Sequence, residues 1–146
     1  MEHITDPQQF LMLAYEILKP EGLICVTVPN DYNSLQEVVV TYLKKDPWWV
    51  VPKEHVNYFD CKSLSKLMKK VGFKTIYTTS SFPLELFILM GEDYIGNSKI
   101  GREIHNKRKK FDRAMEKSGN TNLKRKIYNK LSEIGLGREI TVIGKK

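Results

Sequence analysis

The chain has only two cysteines, Cys25 and Cys61, and neither belongs to a CxxC pair or a Cys/His cluster. Their isolation argues against a disulfide framework and a structural zinc site, so no metal is expected, and it suits a reducing, cytoplasmic setting. The opening Met1-Glu2-His3-Ile4-Thr5-Asp6 lacks the basic and then apolar regions of a signal peptide. No uncharged apolar run approaches the roughly 20 residues that a membrane span needs. Nucleophile elbows, P-loops, internal repeats and low-complexity tracts are likewise missing. The nine glycines form no GxGxG-type run.

What is present has the makeup of a globular domain: 146 residues, 41% of them hydrophobic and 28% charged, read as one domain over 1–146. A chain of this size buries roughly 70% of the surface its unfolded form exposes, enough for a core without staples. The net charge of +7 is unevenly placed. Between Lys99 and Lys130 stand 12 basic residues against 3 acidic ones, a local charge of +9 on a body of −2.

Local chemistry sets the element order. Asp6, Pro7 and Gln9 form an N-terminal cap for a helix over Pro7–Leu18, with Phe10, Leu13, Ala14, Ile17 and Leu18 as its expected buried stripe. Leu23–Val28 is a β-branched run, apolar on both faces, and reads as a strand covered on both sides in a parallel sheet. A helix follows over 33–45 with Leu35, Val38, Val39, Tyr42 and Leu43 on its apolar side, and then an aromatic loop, Pro47-Trp48-Trp49-Val50-Val51-Pro52. Asp60 caps a helix through Leu64, Leu67, Met68 and Val71 that Gly72 stops. Phe73–Thr79 is a second strand, and Phe82–Met90 is a short apolar segment. Two basic amphipathic helices come next, broken at Ser118-Gly119-Asn120, and residues 138–143 make a last strand.

The expected fold class is therefore α/β, with flanking helices and a basic helical insert over 82–135. Only Met1–Ile4 precedes the first helix, too little for the strand a crossover unit requires. The apolar strand at Leu23–Val28 would then leave a sticky sheet edge, through which self-association is expected. Both features lead us to expect the C-terminal part of a larger domain.

Four segments resemble the C-terminal portion of class I S-adenosylmethionine-dependent methyltransferases, in particular the group that includes the ubiquinone-type enzymes. They are Glu2-His3-Ile4-Thr5-Asp6-Pro7; Leu18-Lys19-Pro20-Glu21-Gly22-Leu23 with Val28-Pro29-Asn30; His55-Val56-Asn57-Tyr58-Phe59 with Gly72-Phe73; and Gly137-Arg138-Glu139 before the terminal strand. The resemblance implies the last strands of a Rossmann-like sheet, the final one antiparallel, and methyl transfer from S-adenosylmethionine to a small-molecule acceptor. It also implies that Glu2, His3 and Ile4 lie beside the cofactor. The family's glycine-rich cofactor loop and its ribose-binding acidic residue have no counterpart here, so the chain by itself is expected to be inactive.

For the chemistry, His55 is the candidate general base, since an unperturbed histidine titrates in the useful range. The competing reading has His55 and Asn57 pinning their loop by hydrogen bonds. Asn30, Trp49, Asn57 and Tyr58 are the candidate substrate-binding residues; Trp48 and Trp49 either line a pocket or pack on a helix. The basic helices read as a solvated face, as an acceptor-recognition surface, or as a binding module for an acidic partner or nucleic acid. Stacking aromatics are sparse among those charges, so nucleic acid is not the expected partner.

Overall fold

The computed structural model describes all 146 residues. Its first helix, α1 (Pro7–Ile17), starts where the Asp6 side chain accepts the Gln9 N–H at 2.8 Å. The next two, α2 (Ser34–Leu43) and α3 (Cys61–Val71), start at capping boxes, Asn33 with Gln36 and Asp60 with Ser63. Gly72 ends α3 at φ +117°, a conformation that favours glycine. The strands are β1 (Leu23–Pro29), β2 (Lys74–Ser80) and β3 (Glu139–Lys145). Between β2 and β3 lie α4 (Glu85–Leu89) and the two basic helices, α5 (Ser98–Lys117) and α6 (Thr121–Glu133). No helix is long and apolar enough to cross a membrane.

The three strands form one sheet in the order β1-β3-β2. The last strand enters between the other two and pairs antiparallel with both, as the resemblance implied. Its register sets Val28 against Ile140 and Val26 against Val142, so one sheet face carries the core. Leu11 of α1, Leu64 and Met68 of α3, Phe59 and Phe73 close over that face. Tyr15 meets Phe73 edge to face at 5.0 Å.

Burial departs from the expected pattern in three places. In β1, Val26 and Val28 are buried while Leu23, Cys25 and Thr27 are exposed, because no helix lies over the other face of this strand. On the open face Thr27 and Thr141 join hydroxyls at 2.8 Å, and the outer edge of β1 pairs with nothing. In α1, Leu11, Ala14, Tyr15 and Leu18 turn inward, leaving Phe10, Leu13 and Ile17 in solvent. Apolar residues occupy two faces of that helix, and the one carrying Leu11 matches the sheet. In α2, Gln36 and Val39 are buried, but Val38 and Tyr42 are exposed.

The insert packs through its apolar positions. Ile104 is fully buried, and the Phe82 ring lies 5.6 Å from Phe87 and 5.5 Å from Phe111, which makes the Phe82–Met90 segment packing surface. Along β2, Tyr77 donates its hydroxyl to Asn129 at 2.7 Å, and Ser80 donates to the Tyr128 carbonyl at 3.2 Å. In α6 Ser132 is buried, while the apolar Leu123 and, just past the helix end, Ile134 are exposed.

Candidate active site

At the carboxyl end of β1 the chain turns sharply through Asn30, Asp31 and Tyr32, the last at φ +57°. Ligands of open α/β sheets gather at such strand ends. Here a cleft of about 290 Å³ is lined by Pro29, Asp31, Trp48, Trp49, Val51, Glu54, His55 and Arg138. The aromatic wall is stiff: Trp48 meets Trp49 at 4.9 Å, and Tyr32 meets Trp49 at 5.7 Å, each edge to face. Trp49 is buried, so it serves both as packing and as cleft lining.

The loop carrying His55 is fastened to the N-terminal turn. The backbone N–H groups of Val56 and Asn57 both donate to the Glu2 carbonyl, at 2.9 and 3.1 Å. The Asn57 side chain donates to the Ile4 carbonyl at 2.5 Å and reaches the Met1 carbonyl at 3.4 Å. These bonds set the His3 and His55 rings 4.8 Å apart. Tyr58 accepts the Val51 N–H on its hydroxyl at 3.1 Å and so braces the tryptophan loop.

Of the eight residues singled out in the sequence, Trp49 and His55 line the cleft, while Glu2, His3, Ile4, Asn57 and Tyr58 are joined to the loops that carry those two by hydrogen bonds and ring contacts. Asn57 and Tyr58 act there as loop fasteners. Asn30 points elsewhere: its amide donates to the Gly135 and Gly137 carbonyls at 2.9 and 3.0 Å, in a buried position. It ties the end of β1 to the turn before β3 and so fixes Arg138 at the cleft.

Sequence reasoning missed three charged residues at this end of the sheet. Burial pushes the Asp31 carboxyl up to about 6, against the charges of His55 and Arg138 and with help from Glu2. Its Oδ2 is buried without a hydrogen-bond partner. Glu85 is wholly buried and both its oxygens lack a partner; Gln36 and Asn33 face it without closing a bond. Burial raises its pKa despite the nearby Arg138. Burial of its hydroxyl pushes the half-buried Tyr94 up to about 12 in the same group. Arg138 therefore stands between two buried carboxyl groups. The signal available in sequence was a charged residue next to the end of an apolar strand, Asp31 two residues after β1 and Arg138 directly before β3.

A larger cleft of about 570 Å³ runs between α3 and α6 past Asp60, Cys61, Ser132 and Glu133. Its carboxylate Asp60 is already engaged as the α3 cap, and it holds no buried unpartnered group. The basic residues of α5 and α6 lie mostly in solvent, several in ion pairs: Lys107 with Glu92, Lys124 with Glu116, and Lys130 with Glu133. His105 is exposed on that face.

Comparison with known proteins decides the family. A family model described as a methyltransferase domain matches residues 1–78, more than half of the 146. The chain belongs to this methyltransferase-domain family. The matched stretch holds every site residue named from the sequence, while Glu85, Tyr94 and Arg138 lie beyond it. Among solved structures, the crystal structure of a SAM dependent methyltransferase from Archaeoglobus fulgidus is similar at 19% identity and a TM-score of 0.46. The alignment covers 99% of this chain and 55% of that one, so the methyltransferase domain described here spans about half the length of that structure. No curated protein matches.

Proposed function

We propose that the cleft at the carboxyl end of β1 is the acceptor side of an S-adenosylmethionine-dependent methyl-transfer site, taking a small-molecule acceptor. One observation carries this reading. The Glu2–Ile4 turn, set beside the cofactor by the resemblance, and the loop of His55, the candidate base, are hydrogen-bonded to each other next to one cleft.

When bound, the cofactor supplies an electrophilic sulfonium methyl, and transfer is an in-line displacement, so the protein's work is alignment. The chain's own residues can do part of that work. Trp48 and Trp49 give the acceptor a rigid apolar wall, and His55 is placed to take a proton from an acceptor atom that must lose one. Asp31, held near neutrality, sits beside His55 as a second proton-exchanging group. Arg138 offers a cation to an acidic acceptor group.

The residues present do not make a full cofactor site. The Glu2 and Ile4 carbonyls are occupied by the His55 loop, and no glycine-rich turn follows a strand. Our reading is that the chain on its own binds S-adenosylmethionine weakly or not at all and is inactive, and that it works in the cytoplasm. Self-association through the free edge of β1 belongs to the same reading.

Two titrations test it. Calorimetry with S-adenosylmethionine should give no binding heat at micromolar concentrations, and micromolar affinity would overturn the cofactor part. Tryptophan fluorescence should be quenched by at least one class among small phenols, amines and carboxylic acids, and the quenching should be lost in Trp49→Leu. If no class binds, while RNA or an acidic protein binds with a steep salt dependence, the basic helices are the functional surface instead.

A further inference from the structure

We propose that Glu2, His3 and His55 form a site for one divalent cation of the zinc type. Each of the three brings a donor atom to within 4.8 Å of the other two. No spacing motif announces this trio, because His55 lies 52 residues beyond His3 and is brought to it by the hydrogen bonds that the Glu2 and Ile4 carbonyls accept from the His55 loop.

The surrounding bonds prepare each donor. His3 Nδ1 lies 2.6 Å from the Glu54 carbonyl. A carbonyl only accepts, so Nδ1 carries the proton and Nε2 presents its lone pair, the arrangement that orients metal-binding histidines. That Nε2 stands 3.6 Å from Glu2 Oε1. Two donors held at about 2.0–2.1 Å from a tetrahedral zinc lie roughly 3.3 Å apart, so this pair needs only a small closure. The other carboxylate oxygen, Oε2, faces the Met1 amine at 3.2 Å, which leaves Oε1 free.

His55 supplies the independent observation. Its Nδ1 is buried without any hydrogen-bond partner, while the ring meets His3 edge to face. A buried imidazole nitrogen without a partner is costly unless something outside the chain engages the ring. Two imidazoles and one carboxylate suit zinc, cobalt or nickel; magnesium and calcium prefer all-oxygen shells. Three protein ligands leave a fourth position for water or an acceptor atom, and His55 also lines the cleft.

Calorimetry of the untagged, chelator-stripped chain with zinc chloride tests the site, and cobalt absorption reports coordination geometry. The expected result is one equivalent bound, with affinity reduced at least about tenfold in His3→Ala, Glu2→Gln and His55→Ala. The Cys25→Ser/Cys61→Ser double variant and His105→Ala should bind as the parent does. No zinc binding, binding unchanged in His3→Ala, or binding abolished by the cysteine substitutions would overturn the proposal. Should His55→Ala fail to fold by circular dichroism, the exposed His3 decides the matter alone. None of these readouts involves methyl transfer; a bound cation would take the His55 lone pair and leave Asp31 as the proton-accepting group, so zinc binding would revise the role of His55 and not the acceptor-cleft reading itself.

Discussion

Asn57 holds Ile4: its side-chain amide donates to the Ile4 carbonyl at 2.5 Å, across 53 residues of sequence. This bond and the two backbone bonds to the Glu2 carbonyl are what bring the N-terminal turn to the His55 loop. Asn57→Ala leaves the Ile4 carbonyl without its side-chain donor and should lower stability by about 1–2 kcal/mol in urea denaturation. Amide hydrogen exchange over residues 1–5 should speed up in the same variant, and zinc affinity should fall with it. Unchanged exchange there would mean that the turn is held by other contacts.

Much of the fold was legible because helix starts and stops are local chemistry. Asp6 and Asp60 each carry a cap read from the sequence as a short polar side chain just before an apolar-periodic run, and the structure adds a third at Asn33. The buried face of α1 was not legible, since Leu11/Tyr15/Leu18 and Phe10/Leu13/Ile17 are equally good stripes by spacing and only the partner chooses between them. The open face of β1 was hidden for a related reason: Leu23 and Cys25 are apolar, yet no helix lies over them. Within the site, His55 and Trp49 stood out as residue types suited to the chemistry. Glu85 and Arg138 did not, because burial of a charged side chain is decided by distant elements.

Gly137 meets Arg138 at the start of β3 and adopts φ +123°. A Cβ built there would lie 2.5 Å from the Ser80 Cβ and 2.6 Å from the Ser81 carbonyl. Neither neighbour can move cheaply, one being backbone, and the Gly137 carbonyl also accepts the Asn30 amide. Gly137→Ala should therefore cost about 2 kcal/mol or more, read as a lower urea midpoint. Displacement of Arg138 should accompany it, seen as altered tryptophan fluorescence from Trp48 and Trp49. A parent-like midpoint would show that the turn relaxes.

Glu85 gives the pH dependence of stability a definite sign. Its folded pKa is raised by burial above the unfolded value. Below the unfolded value the group is neutral in both states and has no effect. As pH rises through and beyond that value, the unfolded state loses its proton first, so stability falls until the folded pKa is passed. Glu85→Gln cannot ionise; its melting temperature should vary less with pH over that window and exceed the parent's at neutral pH. A parent melting temperature that rises over the same window relative to Glu85→Gln would show that Arg138 holds the carboxylate more strongly than burial disfavours it.

The free edge of β1 presents unpaired backbone groups alongside exposed Leu23 and Cys25, with the exposed Phe10, Leu13 and Ile17 of α1 adding further apolar surface. Edge strands of this kind template pairing with another strand unless a charge interrupts them. In light scattering the apparent mass should therefore rise with protein concentration. Cys25→Lys puts a cation on the open sheet face, where Cys25 is exposed, and should leave the core side of the strand, Val26 and Val28, untouched. The variant should remain monomeric at concentrations where the parent associates, with an unchanged circular dichroism spectrum. Leu13→Lys on α1 separates the two contributions. Suppression by Cys25→Lys alone identifies strand pairing as the contact, and suppression by Leu13→Lys alone places the contact on the helix. A parent that stays monomeric throughout would show that neither surface is adhesive enough to associate.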